Sequence, residues 1–480
     1  MQTAIIYPPR EIAAIFPCGR LTMKALDLGG KNVFSTVLKL TLPAMLAQFI
    51  NVLYSVVDRM YVGNIEGIGD TVLAGVGVCA PISTLITSFA YLIGLGGAPL
   101  FAMSLGEGRE ENSKKILSNA FIALAALAVL VSALMISLRR PMLMTFGASD
   151  DTYVYAERYL VVCAAGAVFP ILATGLNQFI VAQGYSGIGM ATTAIGAAAN
   201  IALDPVFIFV FGLDAAGAAA ATVISQFLSF LFVIVFLRLK NTKVRLAFTK
   251  PDCKVIFKTI KLGLSPFIIM ATDSVIIIVS NAVLQKYGGA DGDMWITVST
   301  VVQAFFSLIS MPMMGISTGS QPVISYNYGA KNTGLIKRAE KIILCMCLAF
   351  TGIMFALSFA IAAPFVSLFT SDGQIAAKSV WGIRVFMIGV IPLSFQYAFV
   401  DGLTALGQPQ YSVALSMFRK LVVYLGCTLV LPALFGAQAV FFAEPACDVA
   451  AAIASTAVFL VAFPKILKKR QSASDAVLPG

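Results

Sequence analysis

Histidine is absent from the 480 residues of this chain. That removes the side chain that most often carries a proton near neutral pH and the commonest metal ligand, so proton chemistry falls mainly to carboxylates. Charge is scarce as well. Asp, Glu, Lys and Arg make up 12% of the chain against 59% hydrophobic residues, where soluble domains carry about 25% charged residues. So little charge cannot coat a soluble globule of this length, which leaves lipid as the solvent for most of the surface. The eight cysteines (Cys18, Cys79, Cys163, Cys253, Cys345, Cys347, Cys427 and Cys447) form no C-x-x-C, and most lie inside apolar runs as small buried hydrophobes do. No G-x-x-x-x-G-K-[ST] loop occurs, which speaks against nucleotide hydrolysis and leaves transport to an ion gradient or a partner. The residue alternation of a membrane β-barrel is missing too.

What the chain has is long apolar runs. Segments long enough to span a bilayer fall at 39–64, 71–105, 114–138, 152–183, 187–212, 215–240, 255–287, 294–328, 337–370, 374–406, 410–436 and 438–464. They predict an all-α integral membrane protein of twelve transmembrane helices, several long enough to tilt or protrude. Residues 1–33 read as a tail. Ile12–Phe16 is too short for a signal peptide and is flanked by Arg10, Glu11 and Pro17, and Met23 is an alternative start.

The net charge of +10 sits mainly in short loops and not on one face, which fits membrane topology and not nucleic acid. Arg109, Lys114 and Lys115 follow the second span. Arg238, Lys240, Lys243, Arg245, Lys250, Lys254, Lys258 and Lys261 lie between the sixth and seventh. Lys331, Lys337, Arg338 and Lys341 follow the eighth, and Lys465, Lys468, Lys469 and Arg470 end the twelfth. The other side shows mainly Arg139, Arg140, Lys286 and Lys378. This asymmetry predicts that both termini are cytoplasmic. The chain also repeats itself. One offset of 223 takes Pro43 to Pro266, Pro99 to Pro322, Gly106 to Gly329, Lys114 to Lys337, Pro141 to Pro364 and Phe146 to Phe369. It aligns prolines of the first three spans with those of the seventh to ninth. Two pseudo-symmetric six-helix bundles follow, at 34–240 and 262–465, joined by a cytoplasmic linker at 241–261 and followed by a tail at 466–480. Six spans per half make the repeat parallel, about an axis along the membrane normal.

Charge inside the spans needs a reason, since a central Asp costs about 2.5–3.5 kcal/mol to insert. In the first half Asp58 lies six residues before Asn64, Asp204 eight before Gly212, and Thr222 seven after Ala215. At about 1.5 Å per residue these share one depth, and Asn200 is one turn from Asp204 on the same face. Pro205 also frees the Ile201 carbonyl. These hard oxygens suit a small cation such as Na⁺, or a proton shared by two carboxylates. The bland readings are a structural polar cluster at the Pro205 kink and an ion pair of Asp58 with Arg59. In the second half Asn281 stands where the repeat would place Asp58. The intramembrane charges there are Asp273, Arg384, Asp401, Arg419, Lys420, Glu444 and Asp448. Their mixed signs predict compensating pairs, with Arg419 meeting Asp448 or Asp401 in a C-terminal charge network.

Several motifs together resemble the multidrug and toxic compound extrusion (MATE) family over essentially all of 34–465: Asn51–Gly63 (NVLYSVVDRMYVG), Pro99–Gly106, Asn177–Gly184 (NQFIVAQG), Asn200–Pro205 (NIALDP), Gly217–Thr222, Pro322–Gly329 (PVISYNYG) and Ala443–Asp448 (AEPACD). The last of these and Arg419 resemble the bacterial branch of MepA-type pumps. The resemblance implies two bundles around a cleft that opens alternately to either side. It implies export of organic cations and amphipathic drugs in exchange for Na⁺ or H⁺. The cation-site positions of similar members match Asp58, Asn200, Asp204 and Thr222, and Asn177 matches an amide of the surrounding network. The acidic C-lobe site of the NorM branch does not carry over, because Asp273 and Asp401 lie on the right helices at the wrong spacing.

The function so read is secondary active multidrug efflux in the cell membrane, by a non-enzyme needing no cofactor beyond the coupling ion. The expected partners are small-molecule drugs and membrane lipid, with no nucleic acid, and the chain is expected to work as a monomer. A lipid-linked oligosaccharide flippase remains the alternative, because Arg384, Arg419 and Lys420 could face an anionic headgroup. A membrane-embedded enzyme lacks every motif it would need, and the acidic site disfavours a passive sensor or scaffold.

Overall fold

The structure, a computed structural model, describes residues 25–63, 65, 69–146, 150–239, 242–370 and 372–475. Ile12–Phe16, Cys18 and Met23 of the N-terminal tail lie outside the described residues. Among the described residues, eleven helices are long and apolar enough to cross a membrane, and one further pair, Thr152–Gly166 and Val168–Ala182, makes a span bent by 52°. In chain order the spans are Val33–Gly63, Gly69–Gly106, Glu110–Ser137, the bent pair, Ser186–Pro205, Asp214–Arg238, Cys253–Gly288, Gly292–Gly329, Thr333–Val366, Gly373–Ala405, Pro409–Phe435 and Ala443–Asp475. The protein is therefore an all-α membrane protein. In lipid every backbone N–H and C=O must be satisfied within the segment, and a helix does this alone.

Three departures from regular helix matter. The fifth span ends in a π-helical turn, Val206–Val210, directly after Pro205. The eleventh is Pro409–Met417 and Leu425–Phe435 joined by a π-helical turn, Phe418–Tyr424. Pro141, expected in the third span, instead sits in a separate seven-residue helix, Arg139–Thr145. The apolar run stops at Ser137 because Arg139 and Arg140 follow, and Arg139 pairs with Glu157 at 2.7 Å. The third and ninth spans therefore end differently, since Pro364 lies inside Thr333–Val366.

The expected linker is also shorter than 241–261. Its residues before the seventh span are pinned by side chains of the first half: Val244 N donates to Gln183 (2.9 Å), Thr249 N to Ser118 (2.9 Å) and Asp252 N to Asn119 (2.6 Å). Asp252 then caps the seventh span by accepting from Lys254 N at 2.9 Å. Residues 253–261 are helical for that reason. At the other end the last helix continues past 465 to Asp475.

The largest apolar core runs from Val62 through the first half to Val244 and Leu246 of the linker. Two further cores belong to the second half, and the start of the first span (Val33, Val37 and Leu40) packs into one of them. The first span thus packs against both the eighth and the fifth. Its repeat partner, the seventh, packs against the second.

The halves meet closely at the end that holds both described termini. A Cβ on Gly106 would lie 1.9 Å from the Tyr326 carbonyl oxygen, and one on Gly329 would lie 2.0 Å from that of Met103. The 223 offset relates Gly106 to Gly329 and Met103 to Tyr326, so this is one contact repeated about a pseudo-two-fold axis. Arg470 ties the end together by pairing with Glu107 and donating to the Tyr328 carbonyl at 3.0 Å. Partial burial works against ionisation of Glu107, but hydrogen bonds from Arg109 and Arg470 outweigh it and hold the carboxyl below its ordinary range.

Candidate functional site

The first half brings Asp58, Asn200, Asp204 and Thr222 together. Asp58 stands on the first span, Asn200 and Asp204 on the fifth, and Thr222 on the sixth. The first and sixth spans both pack against the fifth. Gly217 makes part of this possible, because a Cβ there would meet the Phe207 carbonyl oxygen at 2.8 Å. Asn200 Nδ2 donates to Asp204 Oδ1 at 3.1 Å and approaches Thr222 Oγ1 at 3.4 Å. The Asp58 carboxyl faces that of Asp204 within hydrogen-bonding reach. Its contact is therefore Asp204, while Arg59 is exposed.

Asn200 and Asp204 are fully buried. Asp58 Oδ1, Asp204 Oδ2 and Asn200 Oδ1 are buried without any donor among the described residues. Buried acceptors are almost always satisfied, so three orphans in one cluster call for a positive species among them. Two carboxylates at this separation are held either by a shared proton or by a cation bound between them. The Pro205 break and the π-helical turn that follow place this chemistry where a helix most often departs from regularity for function.

A cavity of about 100 Å³ adjoins the cluster. It is lined by the first, second, fourth, fifth and sixth spans and closed by Gly315, Thr318 and Gly319 of the eighth. Its polar surface comes from amides and hydroxyls, among them Gln48, Asn51, Asn177, Gln178, Thr192 and Gln226, and among the described residues no Lys, Arg, Asp or Glu lines it. Asn177 belongs to this cavity and not to the carboxyl cluster. It donates to the Gly189 carbonyl at 3.2 Å, and its own oxygen has no donor. Tyr54 lines the cavity one turn before Asp58 and so connects the two. Apart from Asn177, which the family resemblance marks, the amides and Tyr54 are not singled out by the sequence, since a lone polar residue in a span looks like any helix-packing polar residue.

In the second half Arg419 is buried and held by Asp448 at 2.9 Å and Glu444 at 3.1 Å, with the Tyr397 ring 5.9 Å away. Lys420 pairs with Asp273. Both basic residues sit in the π-helical turn and point to different neighbours, Arg419 to the twelfth span and Lys420 to the seventh. Asp401 is not part of this network. Its carboxylate accepts from Ser317 and meets Gln321, because the tenth span presents it to the eighth and not to Arg419. Arg384 is exposed, 6.0 Å from the Phe359 ring.

The MatE family model matches residues 43–206 and again 267–429, one match in each half and near the 223 offset. The chain belongs to the MatE family. It is a membrane transporter and not an enzyme. Relatives include the Multidrug export protein MepA of Staphylococcus aureus (strain MSSA476), 27% identical over 430 residues, covering 87% of this chain and 92% of the relative. The Multidrug export protein MepA of Staphylococcus haemolyticus (strain JCSC1435) is 25% identical over 416 residues, covering 86% and 90%. Among solved structures, an outward-facing multidrug resistance MATE family transporter of the MOP superfamily superposes with a TM-score of 0.85 at 23% identity, covering 94% of this MatE chain and 100% of the other. A MOP superfamily transporter from Pyrococcus furiosus Vc1, described as having a binding pocket of reverse polarity, gives 0.85 at 23% identity, covering 93% and 99%. At that identity the likeness is one of fold, two lobes of six spans each.

Proposed function

We propose that this MatE protein exports organic cations and other amphipathic drugs in exchange for Na⁺ or H⁺, with Asp58, Asn200, Asp204 and Thr222 as the coupling site. The observation that carries this reading is the clustering of three donorless buried oxygens, from Asp58, Asp204 and Asn200, with the Asn200 amide nitrogen also approaching Thr222, beside a polar cavity. Relatives named for multidrug export support the direction and the substrate class. The Lys and Arg asymmetry of the loops supports cytoplasmic termini, and the closed end is then the cytoplasmic one.

A coupling ion entering from outside would relieve repulsion between Asp58 and Asp204 and let the first, fifth and sixth spans draw together. A drug held in the adjoining cavity would lose room and leave. Exchange follows if ion and drug favour different arrangements, each shifting the equilibrium only by its differential affinity. The lipid-oligosaccharide flippase reading needs free cations in the cleft. Arg419 and Lys420 are neutralised by Glu444, Asp448 and Asp273, and no basic residue among the described ones lines the cavity, which weighs against it.

The test is drug efflux from vesicles with Na⁺ and H⁺ gradients imposed separately. Asp58→Asn and Asp204→Asn are expected to abolish gradient-driven efflux while leaving folded, inserted protein. Thr222→Ala should hurt more if Na⁺ is the ion, since a proton needs no hydroxyl ligand. Wild-type rates in the Asp58→Asn, Asp204→Asn double variant would remove this site from the mechanism.

A further inference from the structure

Glu340 attracts no notice in sequence. It follows Lys337 and Arg338 and precedes Lys341 in the ninth span, the look of a solvated helix end. In the structure it is only 4% exposed, and neither carboxylate oxygen has a hydrogen-bond donor among the described residues. It stands two turns into the helix, about 10 Å from its start. Its carboxyl lies against Gly402 of the tenth span, where a Cβ would come within 2.7 and 2.8 Å of its two oxygens. Only glycine permits that approach. The preceding residue is Asp401, whose carboxylate accepts from the buried Ser317 and meets the buried Gln321.

The internal repeat shows that packing alone does not ask for acids here. The contact of Ser317 with Asp401 is reproduced in the first half by Gly94 with Gln178, where a Cβ on Gly94 would lie 3.0 Å from the Gln178 side chain. The residue matching Glu340 by the same offset is Leu117, fully buried in the first core. Where one half places an amide and a hydrocarbon, the other places two carboxyls. A buried carboxylate with no donor is among the costliest groups a protein can hold, so Glu340 must share its site with a positive species. Facing it are Asp401 from the tenth span and, two turns along its own helix, Cys347. The eighth span contributes Ser317 and Gln321 beside Asp401, and the first span brings no charged group against Glu340 among the described residues.

We propose that Glu340 and Asp401, with Ser317 and Gln321, form a second ion site in the C-terminal lobe, that its ligand is a proton, and that Glu340 carries it. A metal cation needs several oxygens around it, yet no hydroxyl reaches Glu340, and Asp401 already engages Ser317. A proton needs one oxygen. Asp401, anchored by its donors, supplies the neighbouring negative charge that keeps the proton on Glu340 until water reaches the pair. This pair lies toward the end of the molecule where the lobes are clasped, whereas Asp58 and Asp204 lie toward the other. Only the use of that proton in exchange rests on the exporter reading. Its presence does not.

The experiment uses full-length protein in liposomes without drug. A hydrophobic carbodiimide, which modifies protonated carboxyls in apolar surroundings, is applied across a pH series in NaCl and in KCl. Modification of Glu340 is read by peptide mass spectrometry. Labelling is expected at acid pH, falling about ten-fold per pH unit beyond its midpoint, alike in both salts. In Asp401→Asn the fall should move to more acid pH, because a like charge has been removed. Three results would overturn the proposal: no labelling at any pH, labelling unchanged across the series, or protection by Na⁺ and not by K⁺. Drug efflux is not measured here, so failure of the Asp58 and Asp204 coupling site would leave this result standing, and the converse.

Discussion

Arg419 brings a full charge to the middle of the eleventh span and meets two carboxylates there. With Asp448 at 2.9 Å and Glu444 at 3.1 Å it is over-compensated by one negative charge, and the adjacent pair of Lys420 with Asp273, itself neutral, leaves that excess in place. Removing one member of a buried ion pair costs about 3–5 kcal/mol, because the partner is left charged and dry. Arg419→Ala should therefore lower the folded yield and the unfolding temperature in detergent. Adding Asp448→Asn should recover part of the loss but not all, since Glu444 remains. If Arg419→Ala is as stable as wild type, the network is not structural. Specific loss of an anionic substrate in that variant would favour the flippase reading.

The elements owe their shape to small residues and to helix breaks. Gly106 and Gly329 let the second and eighth spans touch backbone to backbone, each against a carbonyl of the other. A methyl group at either position has nowhere to go, since backbone cannot swing aside as a side chain can. Gly106→Ala and Gly329→Ala should each cost about 1–3 kcal/mol of stability, and by similar amounts, because one pseudo-two-fold contact is being spoiled from either side. Gly77→Ala in the same second span is the control, since nothing lies within 4 Å of a Cβ there. Thermal unfolding of the three variants decides it. If Gly106→Ala tracks Gly77→Ala, the close crossing does not hold the lobes. The π-helical turn at Phe418–Tyr424 has a comparable role, setting Arg419 and Lys420 toward two different spans.

Over the whole molecule, the lobes are clasped at the end where the described termini lie and where most loop Lys and Arg fall. If that end is cytoplasmic, single cysteines replacing Lys243 or Lys337 in intact cells should be shielded from impermeant thiol reagents and should react after permeabilisation. Gly67, on the expected outer loop, lies outside the described residues, and a cysteine there should react without permeabilisation. Labelling of Lys243→Cys from outside would invert the orientation. Both positions are exposed to solvent, so a negative result reports sidedness and not burial.

The spans, their number and the repeat could be read directly from the residues. Whether a helix enters lipid is decided by its own apolar length, which is a local property. Asp58, Asn200, Asp204 and Thr222 could be grouped for a related reason: depth along a helix can be counted from its ends. What could not be counted is how each helix is rotated about its axis and which neighbour it meets. That choice gave Arg419 to Glu444 and Asp448, turned Asp401 toward Ser317, and put Asn177 in the cavity wall. It also buried Glu340, whose flanking lysines and arginine look like a wet helix end. Tertiary packing alone decided these, because the energy of a buried charge depends on what stands opposite it, and the residue opposite lies on another span.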